Sequence, residues 1–272
     1  MKIVTFWGGL GNTIIDYAYL QHLKMKYPRE KFYSFFPKAG LTAHNGFELD
    51  KRFIVNLPPT RWYTNLIGYT LFYAMKVFIR LNLHCPFTST MTYQHDDALF
   101  HCDWWQDKKF IPKDFQLEFR PFKLNEANSN ILKIIKERNS ISVHIRRGDY
   151  MQLGWLYSDI CTEHYYETAI NMMKKKVDNP FFIFFSDDPE WVKSQYHLSN
   201  MEVVDWNKGE DSFIDMFLMS NCKHMILANS TFSYWAARFN KGVKSVICPV
   251  RWNNSKPGPN LSLDNWIKVN PK

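Results

Sequence analysis

The sequence has few cysteines and no two of them in a C-x-x-C arrangement. Its five cysteines, Cys85, Cys102, Cys161, Cys222 and Cys248, are odd in number and widely spaced. This pattern argues against a disulfide framework and favours reduced thiols in a cytosol. The chain also lacks the charged and apolar regions of a secretory signal peptide at its start. We therefore expect a cytoplasmic protein.

No apolar run in the sequence is long enough to cross a bilayer unaided. The best candidate, Trp62 to Ile79, contains polar residues that include Lys76, and Arg61 and Arg80 flank it. It is slightly too short and too polar for a membrane span. The segment is predicted to be a helix, and two alternative locations fit it. One is the protein core, and the other is the surface of an anionic membrane, which its aromatic residues and basic flanks would suit.

The composition excludes a disordered chain, because 46% of the 272 residues are hydrophobic and 17% are aromatic. This length suffices for about two domains. The excess charge lies in the first half, where 19 basic residues stand against 12 acidic ones up to Asn139. Such a positive field attracts nucleic acid, anionic lipid or an acidic substrate. Nucleic acid is the least favoured, because the aromatic residues lie inside apolar runs such as Phe181 to Phe185.

The first glycine-rich turn lacks both common phosphate-binding fingerprints. A strand is predicted from Lys2 to Trp7, followed by the loop Gly8-Gly9-Leu10-Gly11-Asn12 and a helix to about Lys26. The loop has no third glycine at the dinucleotide spacing, and no P-loop lysine follows it. Its backbone amides at a helix N-terminus are suited to an anion or a sugar.

Metal binding is not expected from the sequence. Three clusters pair histidine with cysteine or aspartate, namely His84-Cys85, His95-Asp96-Asp97 and His101-Cys102-Asp103. Their spacing fits no usual zinc template, and apolar residues surround them. Ordinary packing is predicted for this irregular stretch.

The second half of the sequence alternates short apolar runs with helical patterns. Five runs read as buried strands: Ile141 to Ile145, Phe181 to Phe185, Met201 to Val204, Met225 to Ala228 and Ser245 to Cys248. An amphipathic helix capped by Thr162 is predicted between the first two. This alternation predicts a parallel, doubly wound, Rossmann-like sheet.

A polar stretch, Asn125 to Asn130, precedes this half and is predicted to be a loop. A short amphipathic helix from Ile131 to Arg138 follows it. Together they are the best candidate for a linker. We therefore predict an N-terminal domain of residues 1–130 and a C-terminal domain of residues 131–272.

Polar side chains follow the predicted strands where each strand ends. Arg146-Arg147-Gly148-Asp149 follow the first run, Ser186-Asp187-Asp188-Pro189 the second, and Asn229-Ser230-Thr231 the fourth. Ligands of doubly wound sheets bind beyond these carboxyl ends. Two guanidinium groups at one strand end suit an anion, with a pyrophosphate the natural size. The alternative is a surface ion pair between one arginine and Asp149.

Individual roles can be assigned to the residues at these strand ends. Ser230 or Thr231 is predicted to begin a helix whose amides and hydroxyls seat a phosphate. Asp188 precedes a proline, which is an ordinary helix start. Asp187 has no such explanation, so contact with guanine or a ribose diol is favoured over a solvated loop. His144 is interpreted as a buried orienting histidine rather than a proton-transfer base.

Several blocks of the sequence occur in the same order in a known family. They are Gly8-Gly9-Leu10-Gly11-Asn12, Tyr17-Ala18, Trp105-Gln106, His144-x-Arg146-Arg147-Gly148-Asp149-Tyr150, Phe185-Ser186-Asp187-Asp188 and Asn229-Ser230-Thr231-Phe232-Ser233-Tyr234-Trp235-Ala236-Ala237. In this order they resemble the motifs of the α-1,2-fucosyltransferases, glycosyltransferase family 11. The resemblance spans nearly the whole chain.

The resemblance implies a metal-independent, inverting transferase that uses GDP-β-L-fucose. It implies an α/β, GT-B-like fold, in which two Rossmann-like domains face each other across a cleft. It also implies that Arg146 binds the β-phosphate and stabilises the leaving GDP, and that Arg147 supports its loop. His144 is also among the implied binding residues. Asp187 or Asp188 would contact the nucleoside, Asn229, Ser230 and Thr231 the phosphates, and Gly11 and Asn12 the sugar side. The implied acceptor is the 2-hydroxyl of a galactoside in a glycan or a polysaccharide precursor.

An inverting displacement needs a base near the acceptor hydroxyl, and Asp149 and Asp16 are the candidates. Asp16 ends the stretch Thr13-Ile14-Ile15-Asp16, which departs from the usual Gln-Met-Phe-Gln of the family. A carboxylate therefore stands where an amide is expected, and two alternatives stay open. One is a related transferase with another nucleotide sugar, and the other is a protein that binds a nucleotide sugar without transfer. A lipid-linked acceptor would also bring the basic half to an anionic membrane.

Overall fold

The computed structural model describes residues 1–41, 45–95 and 97–270. Asp96, which belongs to one of the clusters considered above for zinc, lies outside these ranges. The chain divides into two compact units, Met1–Arg120 and Pro121–Lys272. Within the described ranges, no helix combines the length and the apolar composition that a membrane span requires.

The first unit contains a four-stranded parallel sheet with strand order β2-β1-β4-β3. The strands are β1 (Lys2–Thr5), β2 (Phe32–Phe35), β3 (Thr88–Ser89) and β4 (Phe100–His101). The helices are α1 (Leu10–Lys26), α2 (Lys38–Leu41), α3 (Leu49–Arg52) and α4 (Trp62–Arg80), with a 3₁₀ turn at Lys108–Phe110. Phe72 and Met75 of α4 pack with Ile3, Phe35 and Phe100 of the sheet in one buried cluster.

The second unit contains a six-stranded parallel sheet with strand order β10-β9-β8-β5-β6-β7. The strands are β5 (Asn139–Ile145), β6 (Pro180–Ser186), β7 (Met201–Val204), β8 (His224–Ile226), β9 (Ser245–Pro249) and β10 (Ile267–Val269). The helices are α5 (Glu126–Glu137), α6 (Gly148–Gln152), α7 (Gly154–Tyr157), α8 (Glu163–Lys176), α9 (Pro189–Gln195), α10 (Phe213–Met219) and α11 (Thr231–Phe239), with a 3₁₀ turn at Gly209–Ser212.

The strand order of this sheet reverses beside β5. From β5 the chain adds β6 and β7 on one side, and it then crosses back to add β8, β9 and β10 on the other. Such a reversal opens a crevice at the carboxyl ends of the two central strands, here β5 and β8, where ligands of doubly wound sheets bind. The fold therefore fixes where a ligand of this unit is expected.

The main features predicted from the sequence are confirmed. The chain is α/β with a parallel sheet in each unit, and all five apolar runs of the second half are strands. Thr162 caps α8 by accepting a hydrogen bond from the backbone N–H of Tyr165 at 3.2 Å. The apolar face of this amphipathic helix is buried in one cluster with residues of the sheet, which come from β5, β6, β8, β9 and β10.

Other predictions from the sequence are wrong at the level of single elements. The stretch predicted as a loop is helical from Glu126, because Asn125 Oδ1 accepts a hydrogen bond from the Asn128 N–H at 2.8 Å and caps α5. Strands β3, β4 and β10 were not anticipated. The compact units divide after Arg120, and the domain bounds of 1–130 and 131–272 stay a prediction.

A buried polar network joins α5, the segment after β7 and α10. Asn207 Nδ2 donates to Asp215 Oδ1 at 2.7 Å, and Trp206 Nε1 donates to Asn128 Oδ1 at 2.8 Å. Burial raises the pKa of Asp215 to about 7, although the hydrogen bond from Asn207 acts in the opposite direction. Asp215 is therefore protonated in the folded protein at pH values where it is ionised in the unfolded chain.

This difference predicts that Asp215 makes the fold less stable as the pH rises. Between the unfolded pKa near 4 and the folded pKa near 7, the folded state binds the extra proton, so the free energy of unfolding falls with increasing pH. We expect a loss of about 2–3 kcal/mol between pH 5 and pH 8 from this group, measured by denaturant unfolding. Asp215→Asn should remove it. Asp178→Asn, the same charge change at an exposed site, should not, and an unchanged pH slope in Asp215→Asn would contradict the prediction.

Candidate functional site

The polar residues predicted at the strand ends of the second unit lie together. Arg146 and Arg147 follow β5, Asp187 and Asp188 follow its neighbour β6, and Asn229 follows its other neighbour β8. Because all three strands are parallel, their carboxyl ends meet at one edge of the sheet. The structure thus places these residues around the crevice beside β5.

Arg146 lies between two carboxylates. Its Nη2 and Nε lie 2.8 and 2.9 Å from Asp149 Oδ1, and its Nη1 lies 3.1 Å from Asp187 Oδ2. Burial opposes the charge of the guanidinium, but Asp187 and then Asp149 offset this effect and raise the pKa of Arg146. The side chain is half-buried and always charged. Its plane is therefore fixed, and donor hydrogens on Nη1 and Nη2 that the two carboxylates do not use are available for an anion.

Arg147 is oriented differently from Arg146. Its Nε donates to Asp188 Oδ2 at 3.0 Å, and its guanidinium carbon lies 3.9 Å from the ring centroid of Trp191. Asp188 Oδ1 also caps α9 by accepting from the Trp191 N–H at 3.2 Å, as the Asp-Pro sequence predicted. Arg147, Asp188 and Trp191 therefore form one rigid support behind Arg146.

Asp187 has a local role that the sequence did not reveal. Its Oδ1 accepts from the backbone N–H of Arg147 at 2.9 Å, while its Oδ2 pairs with Arg146. Both oxygens thus already hold the arginine loop in place. Each oxygen keeps a lone pair that can accept from a further donor. The contact with a nucleoside stays a prediction.

Gly148 is required where α6 begins, because a side chain there would collide with Asp187. A Cβ at this position would lie 2.5 Å from Asp187 Oδ2. That oxygen is not free to move away without leaving Arg146. The glycine thus permits the close approach that fixes the guanidinium.

We expect Gly148→Ala to lower kcat/KM by about ten- to a hundred-fold, because displacing Asp187 releases Arg146 from its fixed orientation. Gly154→Ala is the matched control, since a Cβ there meets no atom within 4 Å. The measurement is steady-state kinetics together with thermal unfolding of both variants. Equal kcat/KM in the two alanine variants would show that the position of Asp187 does not matter.

His144 lies on β5 next to the site and is buried. Its Nδ1 has no hydrogen-bond partner among the described residues. Burial, with the charge of Arg146 adding to it, lowers the pKa of His144 to about 3. A neutral imidazole beside a fixed cation suits a positioning role, as predicted, and it is not protonated near neutral pH.

The opposite wall of the crevice is the segment between β8 and α11. Ser230 caps α11, as predicted, with its Oγ accepting from the Phe232 N–H at 3.3 Å. Thr231 is the first residue of the helix, so its amide is among those at the N-terminus. Asn229 is buried and its Nδ2 donates to the carbonyl of Trp252 at 3.0 Å. The helix N-terminus is therefore held rigidly, with amides that suit a phosphate.

Tyr150 connects the two walls, a role for which sequence patterns offer no physical reason. Its hydroxyl donates to the Asn229 carbonyl at 3.0 Å, and its ring stacks on Tyr157 with centroids 3.8 Å apart. The guanidinium carbon of Arg146 lies 5.8 Å from the Tyr150 centroid. The final tyrosine of the H-x-R-R-G-D-Y block was the only signal for this role.

The predicted residues of the first unit form a separate group at the start of α1. Gly8 has a φ of +79°, and a Cβ there would lie 2.9 Å from Asn12 Nδ2. Asn12 Oδ1 accepts from Gln106 Nε2 at 3.1 Å, so the glycine loop and the Trp105-Gln106 block contact each other. Gly11 is buried in the first turn of α1. Gln106 is a candidate functional residue that the sequence marked only through its motif.

Asp16 and Asp149, the two predicted bases, differ sharply in environment. Asp16 is 1% exposed, whereas the Asp149 side chain is 46% exposed. Asp16 Oδ2 accepts from the Trp7 N–H at 3.0 Å, which braces the glycine loop. Burial raises the pKa of Asp16 well above its usual range, with the Trp7 hydrogen bond opposing and Asp103 reinforcing the shift. Burial therefore favours the neutral form of the Asp16 carboxyl.

Within the described part of the chain, no three His, Cys, Asp or Glu side chains are arranged to hold a metal ion. The carboxylates around the crevice instead contact arginine nitrogens, as described above for Arg146 and Arg147. That the reaction needs no metal stays a prediction.

Comparison with known proteins gives a consistent assignment. The model of glycosyl transferase family 11 matches residues 80–270. The chain is 29% identical to an alpha-1,2-colitosyltransferase from Escherichia coli, over 96% of each chain. It is 34% identical to the O-antigen biosynthesis glycosyltransferase WbnK of Escherichia coli, over 61% of this chain and 59% of that protein. It is also 29% identical to the human galactoside alpha-(1,2)-fucosyltransferase 1, over 38% of this chain and 29% of that protein.

Proposed function

The chain belongs to glycosyl transferase family 11, and we propose on this premise that it transfers L-fucose from GDP-β-L-fucose to the 2-hydroxyl of a galactoside. The observation that supports this most is the fixed guanidinium of Arg146 at the carboxyl end of β5, at the switch point where the neighbouring β8 leads to the N-terminus of α11. A diphosphate in this crevice would meet a cation from one wall and amides from the other. Charge and shape thus fit a nucleoside diphosphate.

In the proposed reaction, the acceptor oxygen attacks the anomeric carbon of the donor sugar. The bond from that carbon to the β-phosphate oxygen breaks, and its electron pair leaves with GDP. Negative charge therefore grows on the phosphate in the transition state. A preorganised cation such as Arg146 stabilises this developing charge more than it stabilises the intact donor, which is what lowers the barrier.

The acceptor hydroxyl must lose its proton as the new bond forms. We assign the base to Asp149, because its carboxylate is exposed and adjacent to Arg146. Asp16 is assigned instead to the support of the glycine loop, since its carboxyl is buried away from solvent and its Oδ2 accepts from the Trp7 N–H. Asp187 and Asp188 hold the arginine loop, and Asn229, Ser230 and Thr231 form the phosphate wall.

A second donor also needs testing, because a relative that matches over 96% of the chain is named a colitosyltransferase. Colitose is L-fucose without the 3-hydroxyl, so the same phosphate site would serve both donors. The sequence relationship to an O-antigen glycosyltransferase also supports an acceptor within a polysaccharide precursor. We take the acceptor to be such a galactoside-containing precursor.

The test is a donor panel with a β-galactoside acceptor such as lactose, following nucleotide release and the linkage of the product by NMR. Fast release of GDP from GDP-fucose, with an α-1,2-linked product, supports the proposal. A clear preference for GDP-colitose would keep the mechanism and change the donor. Turnover of only UDP sugars or GDP-mannose would overturn the proposal, and tight GDP-fucose binding without transfer would indicate a binding protein.

A further inference from the structure

Helix α4 has one face fixed against the sheet of the first unit. Thr64, Gly68, Phe72 and Met75 are buried on this face. The contact is close, because a Cβ at Gly68 would lie 2.5 Å from Phe35 Cδ2. The helix is thus held firmly, and its opposite face has a defined direction.

The opposite face of α4 is also apolar, although it is exposed. Trp62, Leu66, Tyr73 and Val77 are 79%, 61%, 58% and 52% exposed. Their spacing of i, i+4, i+11 and i+15 places them in one stripe along the helix. A surface helix normally carries polar residues at such positions. This stripe, the outer face of α4, is therefore a candidate contact surface.

The charge around the outer face has one sign. From Lys51 to His95 the sequence contains five basic residues and neither Asp nor Glu. Three of the five, Arg61, Lys76 and Arg80, lie on α4 or immediately before it. Lys76 Nζ lies 4.3 Å from the centroid of Phe72, so its apolar stem runs along the helix and its charge lies at the surface.

We propose that the outer face of α4 docks on an anionic lipid bilayer, with the helix parallel to the membrane plane. Tryptophan, tyrosine and aliphatic side chains would enter the interface, while the basic side chains contact lipid phosphates. The helix cannot leave the sheet to insert, because its buried face completes the core of its unit. The surface therefore lies on the membrane and does not cross it.

The positive charge around the outer face of α4 favours an anionic bilayer over a second copy of the chain. A symmetric contact between two copies of the outer face would bring the same basic residues of both copies together. The segment around α4 in each copy, Lys51 to His95, contains no Asp or Glu that could neutralise these basic residues. Anionic lipid supplies the opposite charge along the whole stripe.

The test is cosedimentation of the full chain with vesicles of phosphatidylcholine, alone or mixed with phosphatidylglycerol. We expect at least about ten-fold more binding to the anionic vesicles, and a loss of binding at high salt. Two variants test the two components of the surface. One carries Leu66→Gln, Tyr73→Gln and Val77→Gln, and the other Arg61→Gln, Lys76→Gln and Arg80→Gln.

Each variant should bind anionic vesicles at least about ten-fold less than the parent protein. The matched control replaces Lys174, Lys175 and Lys176 of α8 with glutamine, the same change of charge on exposed residues of the second unit. It should bind normally. Thermal unfolding and nucleotide release with a soluble acceptor check that every variant is folded.

Three outcomes would overturn the proposal. The parent protein could fail to bind anionic vesicles, or both α4 variants could bind as well as the parent. Sedimentation velocity could also show a dimer that only the apolar variant abolishes, which would assign the outer face of α4 to a second copy. None of these outcomes depends on which sugar is transferred.

Discussion

Replacing Arg146 with alanine is expected to lower turnover by about two to three powers of ten, as loss of one leaving-group stabiliser usually does. The loss should appear in kcat as well as in kcat/KM, because the charge on GDP develops only as the glycosidic bond breaks. Arg146→Lys should recover little of the activity. An ammonium cannot contact Asp149 and Asp187 with two different nitrogens and still present donors to a phosphate.

The control for Arg146 lies at the other end of the same strand. Arg138 is exposed and immediately precedes β5, whereas Arg146 immediately follows it. Arg138→Ala should keep normal kinetics, and thermal unfolding should show that both alanine variants are folded. Turnover near that of the parent protein in Arg146→Ala would refute the role assigned to this arginine.

Replacing Asp149 with asparagine is expected to lower turnover by about two to three powers of ten, within the range of a general base. Asparagine preserves the size of the side chain and an acceptor for Arg146, so the main change is loss of the negative charge and of basicity. The measurement is steady-state kinetics with a soluble acceptor, in which the loss should appear in kcat rather than in KM for the donor.

Asp16→Asn is the matched comparison for Asp149→Asn. Its turnover should stay within a few-fold of the parent value, because burial favours the neutral form of Asp16 and an amide oxygen can still accept from the Trp7 N–H. A loss in Asp16→Asn as large as that in Asp149→Asn would exchange the two assignments. If Asp149→Asn raises KM for the donor and leaves kcat unchanged, Asp149 positions Arg146 and is not the base.

The second unit was largely predictable because its strands lie in apolar runs that amphipathic helices separate. Strand β10 was not, because Lys268 divides its only two apolar residues and the strand is defined by its pairing with β9. The same reason applies to β3 and β4, which have two residues each and belong to the sheet only through parallel pairing with neighbours. Periodicity along a sequence cannot reveal elements that tertiary pairing creates.

In the site, too, features set by the local sequence could be predicted and features set by long-range contacts could not. Arg146, Asp187 and Ser230 could be placed at one edge from the sequence, because each follows an apolar run. The contacts that both oxygens of Asp187 make with the arginine loop could not be predicted, because they join residues about 40 positions apart in the sequence. Burial of Asp16 was equally hidden, because α1 is buried on nearly all sides in this region and shows no polar face.

The switch point has a thermodynamic consequence for the whole second unit. Val143 of β5 pairs beside Ile226 of β8, but β6 and β7 intervene along the chain, so the two walls of the crevice meet only when the sheet is complete. A ligand that bridges both walls binds the assembled sheet and no partly folded form. By mass action, such a ligand at about a hundred times its Kd would add about 2.7 kcal/mol to the free energy of unfolding. The sugar donor would then stabilise the folded state of the enzyme as well as serve as its substrate.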